Sequence, residues 1–376
     1  MINSRLSLVH FRNHGQTDVE WGRFVNVITG PNGAGKTNLL DGIHYLCMGR
    51  SFTSNSDQYV VQEGASGFEV SGNFEGNIRK QFKITCSFSR KNGKKLSVND
   101  SPLDRRADLI GRVPVVLVSP ADRKLTGEGP AERRAFMDAM VSQLSPSYLE
   151  DLIRYRSVLK QRNKLLSDIR HTTSEFIRLI EPWDLQLLEL GTRLIVKRAE
   201  VVKALQVFLE KAHQELAGSD LEPVLMYRSF LEDTSSAERV FDQYQKILQE
   251  TLHKDRERQQ TGNGPHRDDL VFFLDRMELR KYGSQGQHRI YALALKLAQL
   301  YYFSDTLEDC PVFLLDDVFG DLDPEKTDIV MNMLLNHSGQ SFVTAAHADK
   351  LTGFSSRKDE KLSWFEVCQG TVKSSG

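Results

Sequence analysis

Cysteine is scarce in this 376-residue chain, with four residues at Cys47, Cys86, Cys310 and Cys368. Their spacing matches no Cys/His metal pattern, and four scattered thiols make no disulfide framework. They suit a reducing compartment, as small buried hydrophobes. No apolar run reaches the length of a membrane-spanning helix. The opening residues, Met-Ile-Asn-Ser-Arg-Leu-Ser, lack an apolar signal core, so a cytoplasmic location is expected. Net charge is nearly absent too. The 49 Lys/Arg and 50 Asp/Glu leave −1, which excludes a uniformly basic nucleic-acid binder. Internal repeats, low-complexity blocks and long heptad runs are also missing.

What is present is an ordinary globular composition, 40% apolar, in a chain long enough for about two domains. The charge is unevenly placed. Residues 78–134 hold 14 Lys/Arg and 6 Asp/Glu, so a basic face is expected on a near-neutral protein.

The stretch Gly30-Pro31-Asn32-Gly33-Ala34-Gly35-Lys36-Thr37 fits the Walker A pattern G-x-x-x-x-G-K-[ST] without a mismatch. Its glycines let consecutive backbone amides turn onto phosphate oxygens. Lys36 supplies a point charge for the β- and γ-phosphates of ATP, and the Thr37 hydroxyl can complete a Mg²⁺ shell. Phe24–Ile28 reads as a buried strand feeding the loop. A helix leaves it from Asn38, with Leu39, Leu40, Ile43 and Leu46 on one face. A chance glycine-rich turn would not bring that context.

Upstream, Leu6–Asn13 reads as an edge strand turning at His14-Gly15, and residues 47–67 read as loop. From Phe68 the period becomes two. Asn92-Gly93, between Phe82–Phe88 and Leu96–Val98, signals a hairpin. Val115–Val118 is apolar throughout, as in a strand covered on both faces. Helical patterning starts near Ala131 and is broken at Ser145-Pro146. It resumes to about Ile169, again after Pro182, and from Ala237 to Arg258. Strands are expected at Val271–Leu274, Val312–Leu315 and Ser341–Thr344, and a helix from Gly286. The chain thus reads as an α/β head over 1–129 and 262–376, split by an inserted helical domain over 130–261.

Val312-Phe-Leu-Leu-Asp316-Asp317 fits Walker B, with Asp316 placed to orient Mg²⁺ and Asp317 to take a proton from attacking water. Taken alone, a buried strand ending in an acidic turn would look the same. Tyr282-Gly-Ser284-Gln-Gly286-Gln287, 28 residues before Walker B, offers a second phosphate site at a helix N-terminus. Its bland alternative is an ordinary N-cap at Ser284. Two phosphate loops in one chain make sense if each ATP lies between the Walker A loop of one copy and the Ser284 loop of another. Asp321-Leu-Asp323 is placed to cross such an interface.

In that order these motifs resemble the ABC-type ATPase heads of the SMC and DNA-repair ATPases, and most closely the RecF family of recombination mediators. The likeness rests on Leu8–Asn13, the Walker A loop, Ser119-Pro120 followed by Gly129–Phe136, Gly264–Asp269, the Ser284 loop and Leu315–Phe319. It implies an ABC-type P-loop ATPase head, a mixed sheet with an antiparallel β-subdomain, plus the inserted helical domain. It further implies slow, DNA-stimulated ATP hydrolysis and an ATP-dependent homodimer. The DNA would be single- and double-stranded, at gaps and junctions, and RecO and RecR would be partners in loading recombinase. Asn38 joins Gly30–Thr37, Ser284, Gly286 and Gln287 as nucleotide contacts. Arg79, Lys80, Lys83, Arg90, Lys91, Lys94 and Lys95 could contact DNA phosphates without reading bases, or simply form a solvated hairpin face. Asp317 stands where many ABC ATPases have Glu. His347 is the local candidate for a switch histidine, and His266 and Arg267 could reach nucleotide, reach DNA or only pack a loop. The competing functions are an ABC-type nucleotide-binding subunit of another machine, a P-loop small-molecule kinase, and a DNA-binding protein in which ATP is structural.

Overall fold

The computed structural model describes the chain except residues 79, 169–171, 219–220, 347–359 and 375–376, and of residues 173 and 321 it describes the backbone only. β1 (Ile2–Phe11) points Leu6, Leu8 and Phe11 inward, and the chain reverses at Arg12-Asn13 into β2 (His14–Glu20). The expected turn at His14-Gly15 therefore falls two residues early. β3 (Val25–Thr29) leads into the glycine loop and α1 (Lys36–Met48) leaves it. The antiparallel run follows: β4 (Gly67–Glu75), β5 (Phe82–Ser89), β6 (Gly93–Val98) and β7 (Ser101–Pro102). The first turn closes at the Ser89–Gly93 pair with Gly93 at φ +71°, and the second uses Asn99 and Asp100, both at positive φ, as a primed turn requires. These strands form one sheet in the order β2-β1-β4-β5-β6-β7. β1 is thus interior to its sheet, not an edge, because β4 pairs along its other side.

After β8 (Val115–Val118) the chain turns helical, with α2 (Arg123–Gly127), α3 (Pro130–Leu144) and α4 (Pro146–Leu166). Ser145 ends α3 and caps α4 by accepting the Tyr148 amide. α5 (Thr173–Ala217) begins before Pro182 instead of after it. The reason is a capping box. The Thr172 backbone amide donates to the Glu175 carboxylate and the Thr172 hydroxyl accepts the Glu175 amide, while Phe176 and Ile180 pack on Leu166. A proline nine residues in removes one amide from a helix already nucleated and anchored. β9 (Pro223–Arg228) is a strand within the segment expected to be helical, followed by α6 (Ala237–Arg258). It pairs antiparallel with β10 (Asp269–Leu274), which also pairs with β11 (Met277–Glu278). α7 (Leu279–Tyr282) and α8 (Gln285–Thr306) come next.

β12 (Val312–Leu315), α9 (Pro324–Asn336), β13 (Ser341–Ala345), β14 (Leu362–Cys368) and β15 (Thr371–Ser374) complete the chain. The second large sheet runs β15-β14-β3-β13-β12-β8 and is parallel except for β15. Full burial of β12 and near-full burial of β8 account for their unbroken apolar sequences.

The chain divides into two compact units, Met1–Asp122 with Ala212–Ser219 and Ala292–Gly376, and Arg123–Lys211 with Asp220–Tyr291. Residues 262–291 group with the helical unit, so β10 and the Ser284 loop belong there. In the first unit α1 packs on β1, β4 and β5 of one sheet and on β8 and β13 of the other. Beyond the expected face of Leu39, Leu40, Ile43 and Leu46, it also buries Tyr45, Cys47 and Met48. A helix covered by a sheet on each side needs apolar residues all round. Its one buried carboxylate, Asp41, accepts from the Ser51 hydroxyl (2.7 Å) and the Phe52 amide (2.8 Å) and faces Arg12.

The second unit buries a polar cluster within its apolar core. Buried Arg198 donates to Asp138 (2.7 Å), the Pro265 carbonyl (2.6 Å) and the Tyr148 hydroxyl (2.8 Å), and lies 3.8 Å from buried Asp268. Arg162, also buried, binds Asp184, Asp255 and Thr261. The family-like segment Gly264–Asp269 is thus held by buried charge. Arg198→Leu is expected to remove the buried cation that Asp138 and Asp268 face and to lower the unfolding free energy by about 3–5 kcal/mol, measured by urea denaturation.

Candidate functional site

β3 ends at Thr29, and the loop then runs over Gly30–Gly35 to the start of α1. A side chain at Gly30 would meet the Val367 carbonyl at 2.2 Å. One at Gly35 would meet Asn13 and His14 at 2.7–2.8 Å, at a φ of +115°. The loop is therefore threaded between the β1–β2 turn and β14 with no room for a Cβ at Gly30 or Gly35. Lys36 is buried and donates to the carbonyls of Gly30 (2.7 Å) and Pro31 (3.0 Å). Burial lowers its ammonium pKa, opposed by the nearby Asp317 and Asp316 carboxylates. Pro31, Asn32 and Gly33 are exposed, whereas Ala34 is buried. Asn38 donates to the Asn13 side-chain oxygen at 2.7 Å.

The two acidic residues at the end of β12 come to this loop from 279 residues away. The Thr37 hydroxyl donates to Asp316 at 2.8 Å, and the Thr344 hydroxyl donates to the same oxygen at 2.9 Å. Thr344 also accepts the Asp317 amide at 2.9 Å. Burial raises the Asp316 carboxyl pKa, and the two hydroxyls oppose that rise. Asp317 is exposed and takes a positive φ of 50°, a conformation unusual for a residue other than glycine. Asp316 is thus held by its neighbours, while Asp317 faces outward beside the Lys36 charge.

A hydroxyl and a carboxylate converging at one point are hard oxygen donors suited to Mg²⁺, which takes its remaining ligands from phosphate and water. Among the described residues no group of three or more His, Cys, Asp or Glu could hold a metal by itself.

The Ser284 loop lies in the second unit. The Gln287 amide donates to the Ser284 hydroxyl (3.2 Å) and the Ser284 amide to the Gln287 side chain (2.8 Å), a reciprocal capping box at the start of α8. Ser284 is therefore a helix cap. The box leaves the first-turn amides of Gln285 and Gly286 with no helical acceptor, and both residues are exposed. Asp323 caps α9 by accepting the Lys326 amide at 2.9 Å and pairs with the Lys326 ammonium at 2.6 Å, so its carboxylate is already engaged.

The basic run divides. Lys80, Lys83, Arg90, Lys91 and Lys95 are exposed, and Arg79 lies outside the described residues. Lys94 does not join them. Period two turns it to the inner face beside Leu96, where it donates to the Gly49 carbonyl ending α1 (2.8 Å). There it also pairs with Asp57 (2.8 Å) and lies 5.0 Å from the Tyr45 ring centroid. It is a structural cation. His266 is likewise committed to its loop. One ring nitrogen meets the Tyr155 hydroxyl (2.7 Å) and the other the Thr261 carbonyl (3.2 Å), and burial lowers its pKa to about 4. Arg267 is exposed, and His347 lies outside the described residues. Sequence reasoning did not single out Thr344, His14 or Gly370. Thr344 was visible only as a polar residue closing a buried strand.

The family profile described as RecF/RecN/SMC N terminal domain matches residues 2–363. The DNA replication and repair protein RecF of Salinibacter ruber is 38% identical over 350 residues, covering 92% of this chain and 85% of that protein. Its counterpart from Chloroherpeton thalassium is 38% identical, covering 90% and 93%. A solved structure of the recombination mediator protein RecF with ATP, from the RecFOR pathway, superposes with a TM-score of 0.90 at 28% identity, covering 100% of this chain and 98% of that one. An Smc head bound to a ScpA domain, at 14% identity and a TM-score of 0.58, shares the fold. Fold and site thus define an ABC-type P-loop head of the RecF/RecN/SMC class. Within that class, the chain belongs to the RecF family, whose curated members are DNA replication and repair proteins. No described helix is long and apolar enough to cross a membrane.

Thr344→Val is expected to leave the Asp317 amide without its acceptor and Asp316 with one hydroxyl fewer. A stability loss of about 1–3 kcal/mol is expected, measured by urea denaturation.

Proposed function

We propose that this protein is an ATP-dependent DNA-binding protein of replication and recombinational repair, in which ATP joins two copies into a clamp on gapped or junction DNA. The observation that carries the reading is the convergence of Lys36, Thr37, Asp316 and Asp317 on one loop. The ATP-bound RecF relative supports the choice of nucleotide. The amides of Gly30–Thr37 and Asn38, with the Lys36 ammonium, hold the phosphates. Thr37 and Asp316 hold Mg²⁺, which neutralises phosphate charge. Exposed Asp317 accepts a proton from the attacking water. One methylene shorter than Glu, it suits slow turnover.

The free amides of Gln285 and Gly286, with Ser284 and Gln287, complete the γ-phosphate site from the partner copy. A cap and an anion site are compatible here, because the box leaves those two amides free. Loss of the γ-phosphate removes that bridge, so the dimer and its grip on DNA loosen. Lys80, Lys83, Arg90, Lys91 and Lys95 contact backbone phosphates in a salt-sensitive mode without base readout. The clamp helps to load recombinase on single-stranded DNA, with RecO and RecR as partners. Residues 1–129 and 262–376 would form the split ATPase head and 130–261 the inserted helical domain, although 262–291 cluster with the helical unit.

The test is the mass in solution with and without ATP–Mg²⁺, for wild type, Asp317→Asn, Lys36→Arg and Ser284→Arg, with and without gapped duplex. Wild type and Asp317→Asn are expected to dimerise with ATP and to hold DNA more tightly as dimers. Lys36→Arg and Ser284→Arg are expected to remain monomers. Wild-type dimerisation by Ser284→Arg would sink the shared site. ATPase stimulation by a membrane partner instead of DNA would favour the ABC-type subunit.

A further inference from the structure

Gly33–Gly35 are gripped from behind by two turns far apart in sequence. The Asn13 side-chain amide donates to the Ala34 carbonyl at 2.9 Å and approaches the Gly33 carbonyl at 3.4 Å. The Gly370 amide, in the β14–β15 turn, donates to the same Ala34 carbonyl at 2.9 Å. His14, fully buried, sets Nε2 3.1 Å from the Gly35 carbonyl and Nδ1 2.9 Å from the Gly370 carbonyl. The Thr17 hydroxyl donates to that last carbonyl at 2.9 Å. At Gly370, with φ +76°, a Cβ would lie 2.4 Å from the Asn13 carbonyl, so the two turns touch.

A peptide unit is planar, with the carbonyl of one residue and the amide of the next pointing in opposite directions. Holding the Ala34 carbonyl from outside turns the Gly35 amide toward the phosphate side. Holding the Gly35 carbonyl does the same for the Lys36 amide. The Gly35 carbonyl also accepts the Asn38 and Leu39 amides at 3.0 and 3.2 Å, as the first of α1, so the helix shares that second task. The Ala34 carbonyl has no helix to orient it.

We propose that Asn13 and His14, with the Gly370 turn, are positioning residues that preset the amides of the phosphate loop. Their contacts are to the carbonyls of the loop. The proposal rests on the nucleotide reading above and specifies what prepares that site.

The test pairs ATP affinity with hydrogen exchange of the peptide over residues 30–40, measured on the full chain without nucleotide. Asn13→Asp keeps the size but replaces the donor with a second oxygen. His14→Leu removes the ring donor, and His14→Gln restores one. Asn13→Asp and His14→Leu are each expected to weaken ATP binding about tenfold. Both should speed exchange of the loop peptide more than that of peptides elsewhere in the first unit. His14→Gln is expected to recover most of both effects. Unchanged exchange and affinity in Asn13→Asp would overturn the proposal, and so would a His14→Gln as impaired as His14→Leu. Faster exchange in the variants of a wild type that binds no ATP would sink the nucleotide reading and leave the clasp standing.

Discussion

The position of α1 between two sheets constrains everything around the phosphate loop. A helix covered on both sides cannot shift without opening the core that Leu39, Leu40, Ile43 and Leu46 help to form. Its N-terminus, and the loop that enters it, are therefore held in place by apolar packing. Burial also obliges Asp41 to find partners inside, and it finds them in Ser51, Phe52 and Arg12. The segment after α1 is thereby tied to the β1–β2 turn, which reaches the loop itself. Packing and polar satisfaction reinforce each other at one place.

The same logic governs the end of β12. Asp316 sits at the C-terminal edge of a parallel sheet, where strands end at a common level and side chains from different strands meet. Thr37 comes from α1 and Thr344 from β13, and both donate to one carboxylate oxygen. A buried carboxylate is costly unless it is hydrogen-bonded. Its two partners fix its direction as well as satisfying it. Asp317 is free of that constraint and remains exposed beside Lys36, so adjacent acids of the same type occupy different environments.

Much of this was legible in the chain. The Walker A and Walker B strands, the helix between strand and core, the hairpin at Asn92-Gly93 and the SMC-like order of motifs all follow from local patterns. The shortfalls have physical causes. β9 was missed because a six-residue strand inside a helical region gives only a short apolar signal. The start of α5 was misplaced because Pro182 is a louder signal than the capping box at Thr172, although the box decides. Lys94 was counted with the basic face. Its neighbours are equally basic, and only strand register shows that it points inward with Leu96. Two of the four unit boundaries, at Lys211/Ala212 and Tyr291/Ala292, fall inside α5 and α8, where no neighbouring glycine or proline marks them.

By itself, the sequence determined the chemistry of the loop. Glycines at Gly30, Gly33 and Gly35, a lysine and a hydroxyl have a meaning set by local geometry, as do a strand and the acids that end it. Tertiary structure decided which distant residues complete that chemistry. Thr344, 307 residues beyond Thr37, shares Asp316 with it, and Gly370, over 330 residues away, holds the Ala34 carbonyl. A hydrogen bond across such a distance depends on how strands pair and turns abut. That pairing is a property of the packed sheets, and no window of neighbouring residues contains it.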